Sequence, residues 1–285
     1  MNLREEIKRF IEKERKRIGL YIENYLKRMD LPEPVFEAIK HISVNGGKRL
    51  RGIYLLFIVD LFEGERKKAL EAAAAIEFFH SALLIYDDLP AMDNAVLRRG
   101  KPTVHRVFGE DMAILSGLAM INFCVGILSR LSDPRIMKSF TKQFHLLIWG
   151  QTLDLKDYLV RDEKDVEKVY EGKTASLFVL AAEIAAYLSG LEKKQLEALR
   201  DFSLAMGIAY QMVDDLIDLS SGPEKVGKDV GKDRDKKNAL YFYGIDGVRK
   251  RIEELRKIAL EAVKNLKEKG EKLTLFADFL LHRSF

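Results

Sequence analysis

The chain has 285 residues, 47% of them hydrophobic, and its 48 basic and 44 acidic side chains leave a net charge of +4. This length can bury a sizeable core as one large domain or two modest ones. Acidic and basic residues alternate along the predicted helices, for example between Arg249 and Lys272. Such residues form solvated helix faces, which argues against the segregated basic surface of a nucleic-acid-binding protein.

Signals for secretion or membrane insertion are weak. The N-terminal residues carry charges of both signs without an apolar segment, so we expect neither a secretory leader nor a transit peptide. No apolar run reaches the roughly 18 residues of a membrane span. The run 117–128 comes closest, and we expect it in the core or at a subunit interface. Cys124 is the only cysteine, and a single apolar thiol fits a reducing cytoplasm.

Helical periodicity dominates the chain, and signals for strands are scarce. No linker or change in composition marks a domain boundary. We therefore predict an all-α fold in which residues 1–285 form a single domain. The predicted helices cover 2–28, 34–44, 48–63, 66–88, 105–130, 133–157, 163–170, 173–190, 192–220, 245–268 and 272–281.

An acidic cluster ends the helix predicted over 66–88 and consists of Asp87, Asp88 and Asp93. Carboxylates embedded in apolar helix are costly unless something positive holds them. Regular helical spacing would turn Asp93 away from Asp87, but Pro90 disrupts the helix between them. If about two residues loop out there, Asp93 takes the place of the residue one turn after Asp87.

A second acidic cluster, Asp214, Asp215 and Asp218, follows Gln211 along one polar stripe of the helix predicted over 192–220. Asp214 and Asp218 are one turn apart and can share a metal ion. Mg²⁺ prefers oxygen ligands and is usually held by a few carboxylates together with phosphate oxygens. The two clusters therefore predict a magnesium site that binds a phosphate-bearing substrate.

Short basic runs follow helix breaks, where cations and backbone N–H groups suit a phosphate. Each run alone is usually only a helix start, and Gly172-Lys173-Thr174 lacks the upstream glycine and strand of a P-loop. In combination with the acidic clusters, they favour a phosphate site. The polar segment 220–238 is interpreted as a lid over that site. The residues singled out are Lys48, Arg51, Arg98, Arg99, Lys173, Thr174, Lys228 and His80, which shares a helical stripe with Asp87.

With these motifs the chain resembles the trans-polyprenyl diphosphate synthases, which include farnesyl and geranylgeranyl diphosphate synthases. The resemblance runs from Gly46 to the C-terminus. The motifs are GGKRLR (46–51), DDLPAMDNAVLRRGKPTVH (87–105), GKT (172–174), YQMVDDLID (210–218) and GKDVGKD (227–233). The resemblance implies the isoprenoid synthase fold, a helical bundle around a deep central cavity, usually as a homodimer. It also implies Mg²⁺-dependent condensation of isopentenyl diphosphate with dimethylallyl, geranyl or farnesyl diphosphate.

The resemblance further implies a role for each motif residue. Three Mg²⁺ ions would bridge the allylic diphosphate to the two acidic clusters. The magnesium ligands would be Asp87, Asp88, Asp93, Asp214 and Asp218, and Asp215 would belong to the second cluster. The allylic substrate would also be contacted by Arg98, Lys173, Thr174, Gln211 and Lys228. Isopentenyl diphosphate would be held by Lys48, Arg51, His80 and Arg99.

Three departures from the family pattern stand out. Gly52 follows Arg51 where the family usually has proline, and Asn94 replaces a common aspartate. The segment around Lys236 and Lys237 is about two residues shorter than usual, so neither lysine is given a role.

The residues before the first acidic cluster resemble the floor of the family's product tunnel. Ala82 stands where farnesyl-type enzymes often carry an aromatic ring, and Phe78 and Phe79 lie about one turn, or 5 Å, deeper. That extra depth matches about one isoprene unit, so we expect geranylgeranyl diphosphate as a major product, with farnesyl diphosphate formed on the way. Alternatively, other helices supply the floor through Met120, Phe123 or Trp149, and the product is farnesyl diphosphate.

Other functions stay open at this point. A terpene cyclase would ionise the same kind of substrate, but such enzymes usually carry a different second metal motif and lack the isopentenyl diphosphate residues. The same lack disfavours a head-to-head condensing enzyme of the squalene type. A non-catalytic partner subunit is expected to have lost one acidic cluster, and a helical scaffold would leave both unexplained.

Overall fold

The computed structural model describes residues 3–43, 47–220 and 237–282. These residues form a helical structure with one small hairpin, in which β1 (Leu97–Arg98) pairs antiparallel with β2 (Lys101–Pro102). The all-α prediction is confirmed, and the assignment of 1–285 to a single domain stays a prediction. The helices are α1 Leu3–Leu26, α2 Glu33–Ser43, α3 Leu50–Leu61, α4 Arg66–Asp88, α5 Val104–Phe108, α6 Glu110–Ser129, α7 Pro134–Leu155, α8 Glu163–Tyr170, α9 Ser176–Leu188, α10 Lys193–Ser220, α11 Ala239–Val263 and α12 Glu268–Leu281.

Most predicted helices match within two or three residues, and the differences have local causes. The helix predicted over 105–130 is divided at Gly109, whose positive φ of 89° ends α5. The helix predicted from 245 begins at Ala239, because the Asn238 side chain caps its first turn. The helix then has a kink at Gly244. The last helix begins four residues before the predicted 272, at Glu268.

Helix α4 lies at the centre of the core. Four consecutive residues, Ala72 to Ala75, are 0% exposed, so this helix is enclosed on every side. It packs against α1, α3, α6 and α9, and the small alanine side chains allow close approach. The first acidic cluster therefore stands at the C-terminal end of a helix that its neighbours hold in place.

Two of the described helices are long and apolar enough to cross a membrane by length and composition alone. They are α4, with 67% of its apolar window buried, and α6, with 44% buried. The sequence-based statement that no apolar run is long enough was therefore too strict. Core helices pass the same test, and α4 is such a helix, so the finding does not establish a membrane span.

Candidate active site

The first acidic cluster is shaped by the end of α4. The helix stops at Asp88, and the chain then folds back so that the Asp93 N–H donates to the Asp87 carbonyl at 2.9 Å and the Ala95 N–H to the Asp88 carbonyl at 3.2 Å. The residue before a proline avoids helical conformation, which places the end of the helix just ahead of Pro90. Asp87 and Asp93 thus become neighbours because the helix ends, and not through a loop within it.

Arg98, on β1, holds Asp88. Its Nε lies 3.0 Å from Asp88 Oδ1, and Nη2 donates to the same oxygen. The Asp88 side chain is only 1% exposed, and burial raises its pKa although the hydrogen bond from Arg98 opposes that shift. The hairpin therefore brings a cation to a carboxylate that would otherwise be buried alone.

The second acidic cluster is oriented by polar neighbours on α8 and α10. The Tyr170 hydroxyl donates to Asp215 Oδ2, and Gln211 Nε2 donates to Asp215 Oδ1 at 3.1 Å. Asp215 is therefore held on both oxygens. Asp214 and Asp218 are half-buried on the same helix, one turn apart, and this spacing suits a shared cation.

One short segment, 170–174, touches both acidic clusters. Lys173 Nζ lies 2.6 Å from Asp154 Oδ2 on α7, and its charge acts on Asp87. The next residue, Thr174, donates its hydroxyl to Gln211 Oε1 at 2.6 Å. Tyr170 therefore contacts the second cluster, Thr174 contacts Gln211 beside it, and the charge of Lys173 acts on the first cluster. The segment thus connects the two clusters.

Most of the segment lies in a π-helical turn, Glu171–Ala175, which packs closely against α7 and α10. A Cβ on Gly172 would come within 2.7 Å of the Gly150 Cα on α7, and a Cβ on Gly207 of α10 within 2.5 Å of the Ala175 Cα. Only glycine allows these backbones to approach so closely. π-Helical turns often mark functional sites, and this one aims consecutive side chains at different helices.

The carboxylates around Asp87 suit a divalent cation. The pKa of Asp87 is raised to about 6, mainly by burial. The charge of Lys173 opposes this shift, and the neighbouring carboxylates of Asp93 and Asp154 add to it. Among the described residues, no three His, Cys, Asp or Glu side chains converge closely enough to enclose a metal by themselves. Mg²⁺ is commonly held by one or two carboxylates plus substrate phosphates, so this open set of oxygen donors fits magnesium bound together with a diphosphate.

We expect magnesium affinity to weaken as the pH falls through about 6, because Asp87 must lose its proton before it binds a cation. Without metal, the contribution of Asp87 to folding stability changes with pH in the opposite direction. The folded state holds this proton more tightly than the unfolded chain does, so the contribution of Asp87 to stability is present below pH 3.8 and is lost as the pH rises to about 6. Magnesium titrations of activity and thermal unfolding in EDTA, both across this pH range, check the two trends. A magnesium requirement that is the same at pH 5 and pH 7 would contradict the assignment.

A cluster of arginines surrounds His80. Arg51 Nη1 lies 3.4 Å from His80 Nε2, and its guanidinium stacks over the Phe178 ring at 5.0 Å. Burial, followed by the charges of Arg51, Arg99, Arg98 and Arg49, lowers the pKa of His80 well below its ordinary value. Burial and the neighbouring arginines also lower the pKa of Arg99 to about 10. Such concentrated positive charge is costly without an anion, and a diphosphate would offset it.

Most of the residues predicted from the sequence fall into these two groups. Lys48 precedes α3 and is exposed. Lys228 and most of the predicted lid, 221–236, lie outside the described residues. Lys237, left without a role, donates to the Val160 carbonyl at 3.2 Å.

Sequence reasoning missed Asp154 and Tyr170 and gave no role to Glu77. A signal existed for Asp154, because it continues the helical face that buries Gln143, Leu147 and Gly150. Tyr170 carried no such signal, since its contacts to Asp215 and to the Ala239 N–H at 2.7 Å depend on the tertiary fold.

The predicted floor residues are buried. Ala82, Phe78 and Phe79 are all 0% exposed. Phe79 packs edge-on against Phe140 and Phe144 of α7, with centroid distances of 5.0 and 4.9 Å. Phe78 faces Phe123, 5.6 Å away on α6. Of the alternative floor residues, Met120 and Phe123 are buried, whereas Trp149 is 60% exposed on the protomer surface.

The chain is similar to several known proteins in sequence and fold. A family model described as polyprenyl synthetase matches residues 32–277. Geranylgeranyl pyrophosphate synthase 4 of Arabidopsis thaliana is 34% identical over 89% of this chain and 72% of its own length. Farnesyl diphosphate synthase of Geobacillus stearothermophilus is 30% identical over 82% of this chain and 83% of its own. The crystal structure of a Helicobacter pylori geranyltransferase, complexed with magnesium and isoprenyl diphosphate, has a TM-score of 0.79 at 26% identity and covers 95% of this chain and 96% of its own.

Proposed function

Because the chain belongs to the polyprenyl synthetase family, we propose that it is a short-chain prenyltransferase that joins isopentenyl diphosphate to an allylic diphosphate in the presence of Mg²⁺. The observation that carries the proposal is the arrangement of charge. Carboxylates of two helices interact with the 170–174 segment, and an arginine cluster lies around His80, about two turns before Asp87 on α4. This arrangement offers one subsite for a metal-bound diphosphate and one for a diphosphate held by cations alone.

In this proposal, each group has a defined task. Asp87, Asp93, Asp214 and Asp218 would hold magnesium, which supplies charge neutralisation and orientation to the leaving diphosphate. Lys173 and Arg98 would hold the same diphosphate by charge-assisted hydrogen bonds. Asp88 and Asp215 keep Arg98 and Gln211 in place.

The arginine cluster would hold isopentenyl diphosphate with its double bond towards the allylic carbon that loses diphosphate. The new carbon–carbon bond forms as that allylic cation is attacked, and the proton is then lost, with the departed diphosphate as the nearest base. Apolar side chains of α4 around Ala82 would exclude water from the cation. No side-chain nucleophile is needed, which agrees with the residues present.

We further propose that the product extends beyond Ala82 to the aromatic cluster of Phe79, Phe140 and Phe144, which gives geranylgeranyl diphosphate as a major product. Ala82 carries no ring, and Phe79 of the cluster lies about 5 Å deeper by helical rise.

We expect Phe79→Ala to lengthen the product and Ala82→Tyr to shorten it, because one removes the ring at the floor and the other adds a ring above it. The chain length is read by mass spectrometry of the dephosphorylated products. Phe276→Ala is the matched control, since it removes an equally buried ring that stacks on Phe57 in α3. Unchanged length in both test variants, or a change in the control, would contradict this floor.

We also propose a cytoplasmic homodimer. The dimer is supported by the large apolar side chains that α6 and α7 expose. Among them, Leu118 is 54% exposed and Trp149 is 60% exposed. An exposed apolar patch of this kind is typical of a protein interface. Analytical ultracentrifugation tests it, and a Leu118→Glu, Trp149→Glu variant should sediment as a monomer.

Product analysis tests the proposed reaction. The purified protein is supplied with isopentenyl diphosphate, Mg²⁺ and each allylic primer in turn. A linear prenyl diphosphate longer than the primer is the expected result. Diphosphate release with a cyclic hydrocarbon would identify a terpene cyclase instead, and no turnover with any primer would identify a non-catalytic subunit.

A further inference from the structure

Glu77 is a buried carboxylate beneath the arginine cluster. It lies on α4 one turn before His80, and only 1% of it is exposed. Isolated ionised carboxylates are very costly in such a place. The residues that offset this cost indicate what Glu77 does.

Its two oxygens contact two different parts of the α3 N-terminus. Oε1 accepts a hydrogen bond from the Gly52 N–H at 2.9 Å, and Oε2 lies 3.9 Å from Arg49 Nη1. Arg49 is itself 5% exposed and donates to the Ser43 carbonyl at the end of α2. The carboxylate thus ties the first turn of α3 and the residue before it to the middle of α4.

The bond to Gly52 depends on a feature of this chain. Gly52 is the third residue of α3, where a helix has N–H groups without an internal partner and a positive dipole. A Cβ at this position would lie 3.0 Å from the Ala73 carbonyl oxygen and 3.2 Å from Glu77 Cγ. The trans-polyprenyl diphosphate synthases usually have proline at this position, and proline has no N–H to donate.

Glu77 also supplies negative charge to a crowded set of guanidinium groups. Arg49, Arg51, Arg98 and Arg99 all act on His80, and the Glu77 carboxylate opposes the loss of charge at Arg49 and Arg99. Like charges at such short range repel strongly in a buried setting. The Glu77 carboxylate lowers that repulsion, which helps to keep Arg51 and Arg99 in place.

We propose that Glu77 is a positioning residue for the subsite that binds the non-allylic diphosphate. It holds the start of α3, and with it Arg51, through the Gly52 N–H, and it holds Arg49 and Arg99 by charge. This role rests on the proposed function and deepens it, because it assigns to one buried side chain the arrangement of the cation-only subsite.

Steady-state kinetics of Glu77→Gln test the role. Glutamine keeps an acceptor for the Gly52 N–H and removes the charge, so the arginines lose their counter-charge. We expect KM for isopentenyl diphosphate to rise about 10-fold, the lower end of what indirect supporting contacts contribute, with KM for the allylic substrate unchanged. Charge attraction without positioning predicts the opposite, since a more positive site would lower KM. A lowered KM, or an equal rise for both substrates, would overturn the proposal.

Matched variants separate positioning from general loss of packing. Glu183→Gln removes another buried carboxylate, paired with Arg200 away from the site, and should leave both KM values unchanged. Gly52→Pro removes the N–H and should raise KM for isopentenyl diphosphate, whereas Gly52→Ala adds the Cβ but keeps the N–H and should raise it less. An equal effect of alanine and proline would contradict the role of the hydrogen bond.

A binding measurement keeps this proposal separate from the proposed reaction. Calorimetric titration of inorganic diphosphate in EDTA reports on the cation-only subsite without turnover. If wild-type protein forms no product yet binds diphosphate more tightly than Glu77→Gln, the reaction is wrong and the positioning role stands. If product forms and the two proteins bind diphosphate equally, the positioning role is wrong.

Discussion

Asp214→Asn is expected to lower kcat by roughly 10³-fold, the upper range for removing one preorganised electrostatic contact in an active site. Asparagine keeps the size of the side chain but removes the charge that a cation requires. Asp214 is half-buried, one turn before Asp218 on α10. Because the two carboxylates share a helix face, the remaining one would have to hold the cation with half the charge.

The matched control for this prediction is Asp201→Asn. Asp201 lies on the same helix, is exposed, and is distant in sequence from the acidic cluster. Its substitution should leave kcat unchanged. Excess Mg²⁺ should recover part of the activity of Asp214→Asn, which an assay over a magnesium series measures. Equal activity of Asp214→Asn and wild type would remove α10 from the site.

Arg98→Met is expected to destabilise the protein by about 3–5 kcal/mol, the cost of leaving one member of a buried ion pair without its partner. Asp88 is 1% and Arg98 is 17% exposed. Methionine fills part of the space but cannot offset the buried carboxylate. The free energy of unfolding is measured in denaturant without metal or substrate, so that loss of substrate binding does not contribute.

Two comparisons make this prediction specific to the ion pair. Arg135→Met breaks an exposed pair with Asp133, in which Arg135 is 59% exposed, and should cost less than about 1 kcal/mol. Adding Asp88→Asn to Arg98→Met removes the unpaired charge and should recover part of the lost stability. The destabilisation should also shrink at low pH, where Asp88 becomes protonated. A double variant that is less stable than Arg98→Met would contradict the pairing.

Residue patterns within one element predicted most of the fold and part of the site. The polar stripe from Gln211 to Asp218 lies on α10 as expected, because helical periodicity alone fixes which side chains share a face. The bounds of α4, 66–88, follow from an apolar helix that meets Pro90. His80 and Arg51, far apart in the sequence, were brought together only by resemblance to a family, and the structure places them 3.4 Å apart.

Contacts between elements were harder to foresee. The partnership of Lys173 with Asp154 depends on the close crossing of Gly150 and Gly172, which no periodicity reveals. Gly52 stood out in the sequence only as a replacement for the proline usual in the family, yet its N–H is the donor to a buried carboxylate. The sequence also predicted a helix with two residues looped out before Asp93. Instead α4 ends at Asp88, and backbone hydrogen bonds in the following loop bring Asp93 back to Asp87.

The central claim is that the carboxylates of both clusters hold a diphosphate through Mg²⁺. It is tested most directly by the melting temperature of the protein with Mg²⁺ alone, inorganic diphosphate alone, and both together. At about 100 times the dissociation constant, both together should raise the melting temperature by on the order of 5 °C. Each component alone should raise it much less, and Asp87→Asn and Asp214→Asn should each abolish the joint effect. A rise that is the same with diphosphate alone, or that survives in both variants, would contradict the claim.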